Sequence, residues 1–271
     1  MQNLIKLFNK APENEVVTGG MLPTPVDTAF TVFLWLSVVF IISLSLPQLF
    51  KLIKDRKTGD VSFTSFWIFH IGILLWVIWG ATNKLNHGML NVMVADGIAL
   101  YVNGVMTGLL YLHKKEFSKQ KKLYGYLGVL ATWIIGTLFI VFYGVDYNSG
   151  PEAVLFKVPD TLSTIMGFLF PAATTLAFTP QLIRSFKTKQ WQGVTYWMYV
   201  LYVINNIVWI IWWILGLVQQ SYQPEPNYGS IIAGLIWQII SLALFSIQLG
   251  FTLHDKYLLS KGIDRSVQTG K

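Results

Sequence analysis

Cysteine is absent from the 271 residues, so neither a disulfide framework nor a thiolate metal site can form. Charge is scarce as well. Only 12% of the residues are Asp, Glu, Lys or Arg, about half the usual share of a soluble domain, ~25%. The four histidines are scattered, with no two at metal-ligand spacing. There is no nucleophile–base pair, no metal cluster and no glycine-rich phosphate loop, so an enzyme is not expected and no cofactor is implied. The first twenty-five residues lack the basic, apolar and small-residue order of a cleaved signal peptide. Ile5, Leu7 and Phe8 suggest a short surface helix there. No Asn-x-Ser/Thr site occurs.

What is present is apolar surface. Hydrophobic residues make up 54% of the chain. Seven stretches, at about 26–50, 62–82, 90–112, 123–144, 161–184, 194–218 and 229–253, are long enough to cross ~30 Å of hydrocarbon. Basic residues fall almost wholly in alternate connections: Lys51, Lys54, Arg56 and Lys57; Lys114, Lys115, Lys119, Lys121 and Lys122; Arg184, Lys187 and Lys189; and Lys256, Lys261, Arg265 and Lys271. Only Lys6, Lys10, Lys84 and Lys157 lie on the other side. Lys and Arg accumulate in cytoplasmic loops, which predicts an outside N-terminus and a cytoplasmic C-terminus. This distribution also explains the net charge of +7 without a nucleic-acid partner.

The dipeptide Pro-Gln occurs twice within these spans, at Pro47-Gln48 and Pro180-Gln181. A shift of 133 positions superposes the two copies and their surroundings. It matches Leu49 with Leu182, Lys51 with Arg184, Lys54 with Lys187, Val61-Ser62 with Val194-Thr195, Trp76 with Trp209, and Trp79 with Trp212. Spans one to three and five to seven therefore form two repeats, and span four has no counterpart. An extra crossing between two three-span units keeps them parallel about an axis normal to the membrane. The expected organisation is a tail at 1–25, a first three-helix repeat at 26–112, a linker helix within 113–150, a second repeat at 151–253, and a cytoplasmic tail at 254–271. Span four should carry few functional residues.

Each proline removes a backbone hydrogen bond and crowds the carbonyl four residues earlier, here those of Ser43 and Leu176. Both helices should bend at these points. Pro171 lies deeper in span five, and its counterpart is Val38, so that proline is not duplicated.

Phe69, Gly72, Trp76 and Trp79 share a 3-4-3 spacing with Tyr202, Asn205, Trp209 and Trp212. Residues so spaced lie on one helical face. Two such faces on equivalent helices suit a flat or ring-shaped solute. Trp133 and Trp213 read instead as interfacial or lipid-packing residues. Asp96, Asn103 and Thr107 lie roughly on one face of span three, and Gln238, Ser241 and Gln248 on one face of span seven. Polar side chains are costly against lipid, so both faces should point inward. Asn205 is expected on the face of Trp209, and Asn206 against a neighbouring helix. Asp96 and His70 are the ionisable candidates for proton coupling, although a hydrated helix end for Asp96 and a packed or interfacial imidazole for His70 are the preferred readings.

The paired Pro-Gln motif, the basic residues behind it and the 3+1+3 layout resemble the PQ-loop superfamily of membrane transporters. That group includes the SWEET sugar transporters, the single-repeat SemiSWEETs, the cystine and cationic amino-acid exporters, and the KDEL receptors. The resemblance spans about residues 26–253. It implies an all-α membrane protein of seven transmembrane helices in a 3+1+3 parallel repeat. It also implies that Pro47, Gln48, Pro180 and Gln181 act at hinges. SWEET-like proteins place an asparagine on the third and seventh spans. Asn103 matches the first, and Gln238, at an offset of 135, is the nearest counterpart of the second.

The expected substrate contacts are thus Trp76, Trp79, Asn103, Asn205, Trp209, Trp212 and Gln238. The cystine exporters carry an acid in the last span, and this chain has none there, which favours passive flow. The expected function is alternating-access transport of a small polar solute, sugar or vitamin-like. A proton-coupled amino-acid transporter is the alternative, and a receptor of the same fold a distant one. Partners would be the solute, membrane lipid and, as an option, a second copy of the chain. The composition fits a bacterial plasma membrane.

Overall fold

The long uncharged stretches fold into helices because a backbone inside hydrocarbon must satisfy its own hydrogen bonds. A computed structural model of the protein describes residues 24–82, 89–149, 156–222 and 228–264. These form α1 (Thr24–Ser43), α2 (Leu46–Asp55), α3 (Phe63–Thr82), α4 (Leu90–His113), α5 (Lys119–Asn148), α6 (Asp160–Leu176), α7 (Thr179–Thr188), α8 (Tyr196–Gln220) and α9 (Gly229–Ser260). No strand occurs among the described residues. Seven helices or helix pairs are long and apolar enough to cross a membrane, with α1–α2 and α6–α7 each making one broken span. Apolar side chains such as Val39, Ile134 and Leu169 stay exposed on the outside, as a lipid-facing surface requires. The surface helix suggested by Ile5, Leu7 and Phe8, together with Lys6, Lys10, Lys84, Arg265 and Lys271, lies outside the described residues.

The expected boundaries match to within a few residues, except at the end. The last helix continues to Ser260, so residues 254–260, expected as tail, extend it. The last span, expected to hold no acid, carries the buried Asp255 near its end, which accepts from Gln192.

Helix contacts give the architecture. α1 packs on α4, α4 on α3, α3 on α6, α6 on α9, α9 on α8, and α8 on α1. Six spans therefore close a ring, with each repeat contributing three consecutive members in the order first, third, second. The linker helix α5 packs outside the ring, on α3 and α4. Small residues permit these approaches. Trp133 of α5 lies against Gly104 of α4, and Trp213 of α8 lies against Gly234 of α9.

The 133 offset holds for the first two spans of each repeat but not for the third. α8, with 25 residues, is longer than α3, with 20, which delays the start of α9, and an offset of 142 brings Val92, Ala95 and Asp96 onto Gly234, Trp237 and Gln238. All six face one cleft. The expected equivalence of Asn103 and Gln238 is therefore incorrect. Gln238 corresponds to Asp96, and Asn103 corresponds to Phe245.

Candidate central cleft and its closed end

Both Pro-Gln motifs sit where a span breaks. The helix is interrupted at Leu44-Ser45 in the first repeat and at Ala177-Phe178 in the second. Pro47 and Pro180 then occupy the first turns of α2 and α7, where a missing N–H costs nothing. The short helices also end alike, in left-handed residues: Arg56 at φ 48° and Lys189 at φ 56°. Neither is glycine, so each terminus holds a conformation that ordinarily costs an L-residue about 1–2 kcal/mol.

The glutamine after each proline reaches into the opposite repeat. Gln48 Oε1 accepts the Thr195 N–H at 2.9 Å, and Gln181 Oε1 accepts the Ser62 N–H at 2.5 Å. Thr195 and Ser62 stand at the N-termini of α8 and α3, where backbone donors lack helical partners. Both glutamines are buried. The basic residues continue this crossing. Lys51 Nζ donates to the carbonyls of Gln192 and Gly193 at 2.6 and 3.2 Å. Its counterpart Arg184 donates through Nε to Asp60 Oδ1 at 2.7 Å and pairs with the same carboxylate. The two connecting loops meet so closely that a methyl group on Gly193 would collide with the Asp60 carbonyl. The basic end of the ring is therefore shut.

Above this closure lies an aromatic floor. Phe66, Phe69, Phe178, Tyr202 and Phe245 form one packed cluster, with Tyr202 stacked on Phe245 at 4.0 Å between ring centres. The cleft on top of it holds ≈ 870 Å³ of empty space, its mouth included. Its walls come in pairs from the two repeats: Val38 and Pro171, Ile41 and Thr174, Phe69 and Tyr202, Ile73 and Asn206, and Trp76 and Trp209. Asn205, Gln238, Asp96, Trp213, Trp237 and Ser241 are also among the lining residues. Tyr202 Oη, Asn205 Oδ1 and Trp213 Nε1 are buried without a hydrogen-bond partner among the described residues. Native interiors seldom leave such groups unpaired. A solute that supplied partners would remove their desolvation cost.

The PQ loop repeat family matches residues 29–88, which hold the first Pro-Gln, its basic loop and span two. A solved eukaryotic SWEET transporter superposes with a TM-score of 0.50 at 13% identity, covering 83% of this chain and 99% of that chain. The chain thus carries a PQ loop repeat at residues 29–88 and shares its overall fold with that transporter. No curated protein matches the chain significantly in sequence.

The structure brings together only part of the expected contact set. Trp76, Trp209, Asn205 and Gln238 line the cleft. Trp79 and Trp212 do not. They lie three residues further along α3 and α8, which rotates them about 60° from the preceding indole and turns them to the seam between repeats. There Trp79 Nε1 donates to the Ser163 carbonyl at 3.0 Å, and Trp212 packs on Phe30 at 5.0 Å. Ser163 and Phe30 are themselves 133 apart, so the two seams are equivalent.

Asn103 is also off the cleft. It lies two turns below Asp96, roughly 10 Å deeper along α4, beneath the floor. Its amide donates to Ser45 Oγ at 2.9 Å, and its oxygen meets His70 Nδ1 at 3.0 Å. His70 Nε2 lies 2.7 Å from Thr132 Oγ1 on the linker helix. His70 is thus a packed imidazole that ties α5 to the repeat. Asn206 lines the cleft while donating to the Tyr202 carbonyl of its own helix. Trp213 and Trp237 were missed as lining residues, since neither belongs to a 133-spaced pair. Trp133, read as lipid-facing, donates to the Leu100 carbonyl.

Proposed function

We propose that the chain is an alternating-access transporter for a small, ring-bearing polar solute. The solute binds in the central cleft against Trp76 and Trp209, with Asn205 and Gln238 as hydrogen-bonding groups. One observation carries this reading: the cleft is walled by equivalent residues of both repeats and shut at one end by contacts made twice, once from each repeat. A rocking motion that breaks those duplicated contacts opens the basic end. The helix interruptions before Pro47 and Pro180 are the natural pivots. The structural neighbour is itself a SWEET transporter, which supports transport as the class of activity.

With the basic end at the cytoplasm, the closed form faces outward, in a plasma membrane with the N-terminus outside. Flow follows the electrochemical gradient of the solute. Purified protein in proteoliposomes tests the reading. Sugars and ring-containing vitamins are offered in turn, and saturable uptake of at least one is expected. Trp209→Ala should abolish that uptake, and an imposed pH gradient should leave its rate unchanged. Uptake that requires the pH gradient and fails in Asp96→Asn would favour proton-coupled amino-acid transport, a reading that Asp96 supports by lining the cleft. Saturable uptake of none of these solutes would sink the proposal.

A further inference from the structure

Asp96 is the only Asp, Glu, Lys, Arg or His among the described residues that line the cleft. It is 6% exposed, and no hydrogen bond or ion pair reaches its carboxylate among the described residues. Among the described residues, no Lys, Arg or His lines the cavity to neutralise it. Four indoles, Trp76, Trp209, Trp213 and Trp237, line the same cleft. A lone carboxylate within a membrane protein is costly and marks a functional position, and indole faces attract cations most strongly when water is excluded.

We infer that the solute is an organic cation with a flat ring, its positive charge neutralised by Asp96 and its ring held against the indoles. This rests on the transport reading above and specifies its substrate class. The asymmetry of the two repeats fixes the orientation. The position equivalent to Asp96 is the neutral Gln238, so the charged part of the solute turns to the first repeat and its uncharged polar part to the second. In the second repeat the Trp213 Nε1 donor and the Asn205 Oδ1 acceptor stand unpaired. Eight residues apart on α8, they offer hydrogen bonds to separate polar groups of that uncharged part. Carboxylates and phosphates are refused, since they would meet Asp96 with no cation to offset it.

Three ring compounds of nearly equal size separate charge from shape: 1-methylnicotinamide, a cation; nicotinamide, its neutral relative; and nicotinate, an anion. Isothermal titration of the full chain in nanodiscs should give 1-methylnicotinamide an affinity about tenfold or more above nicotinamide, and no heat for nicotinate. Asp96→Asn should bring the ratio of the first two close to one, while Asp96→Glu retains a preference for the cation. The ratio is the readout because damage to the cleft in general would weaken both ligands alike. Equal binding of cation and neutral ring to the unmodified protein, or a preference that survives Asp96→Asn, overturns the inference and leaves the transport reading standing. No binding by any of the three also overturns it. The transport reading is then decided separately, by uptake of uncharged sugars and vitamins.

Discussion

Gln48 Oε1 holds the backbone N–H of Thr195 at 2.9 Å from across the boundary between repeats. Its equivalent, Gln181, does the same for Ser62. Each Pro-Gln dipeptide thus combines two physical functions. The proline interrupts a span, and the neighbouring glutamine fastens that interruption to the other half of the protein. A motion centred on the interruptions must break both fastenings together, because each repeat holds the other.

Gln48→Ala and Gln181→Ala should therefore favour opening of the basic end. Each leaves a buried N–H without a partner, a loss of roughly 1–3 kcal/mol that falls only on the closed form. The natural chain has no cysteine, so a single Ser241→Cys reports on the cleft without background. Its labelling by a membrane-impermeant maleimide from the basic side should rise in either glutamine variant and rise further in the double. Labelling that stays at the parental level in both would show that the glutamines do not hold the gate.

Gly193→Ala should act in the same direction by collision. An added methyl group meets the Asp60 carbonyl, which is backbone and cannot turn aside. Gly59→Ala is the control. Its methyl group would lie 3.3 Å from Gly193 Cα, a fit that a small shift relieves. The same maleimide assay should show strong labelling for Gly193→Ala and little change for Gly59→Ala.

The fold was legible because its signals repeat. Basic residues alternate in sequence as the connections alternate across the membrane, and Pro47-Gln48 and Pro180-Gln181 keep a constant interval through the first two spans. The site was harder to read. The interval changes to 142 at the third spans, chiefly because α8 is longer than α3, and this misaligned Asn103 with Gln238. Depth was a second obstacle. Asp96 and Asn103 share a helix face, but the aromatic floor lies between their levels, so one meets the cleft and the other a buried network. Trp79 and Trp212 failed for a third reason: a step of three residues falls 60° short of a full turn, enough to exchange the cleft for the seam.

Asn103 and Trp209 should consequently separate stability from binding. Asn103→Ala removes a buried amide that serves both Ser45 and His70. A stability loss on the order of 1–3 kcal/mol is expected, with solute affinity nearly unchanged. Trp209→Ala should lose binding while its melting temperature in detergent, without solute, falls less than that of Asn103→Ala. The reverse pattern would return Asn103 to the binding site.

At the end opposite the glutamine contacts, one ion pair joins the linker helix to the connection before α6. Lys157 Nζ lies 3.0 Å from Asp146 Oδ2, with side chains only 5% and 1% exposed. Lys157 also donates to the Ala81 carbonyl at 3.2 Å, near the C-terminus of α3, where a cation suits the helix dipole. Removing one member of a buried ion pair typically costs about 3–5 kcal/mol. Lys157→Met and Asp146→Leu should each lower the melting temperature sharply. The double variant should recover much of the loss, because the desolvation penalty then disappears with the charges. A double variant no more stable than either single would mean that the pair contributes through its geometry, by holding α5 against α3, and not through a balance of buried charges.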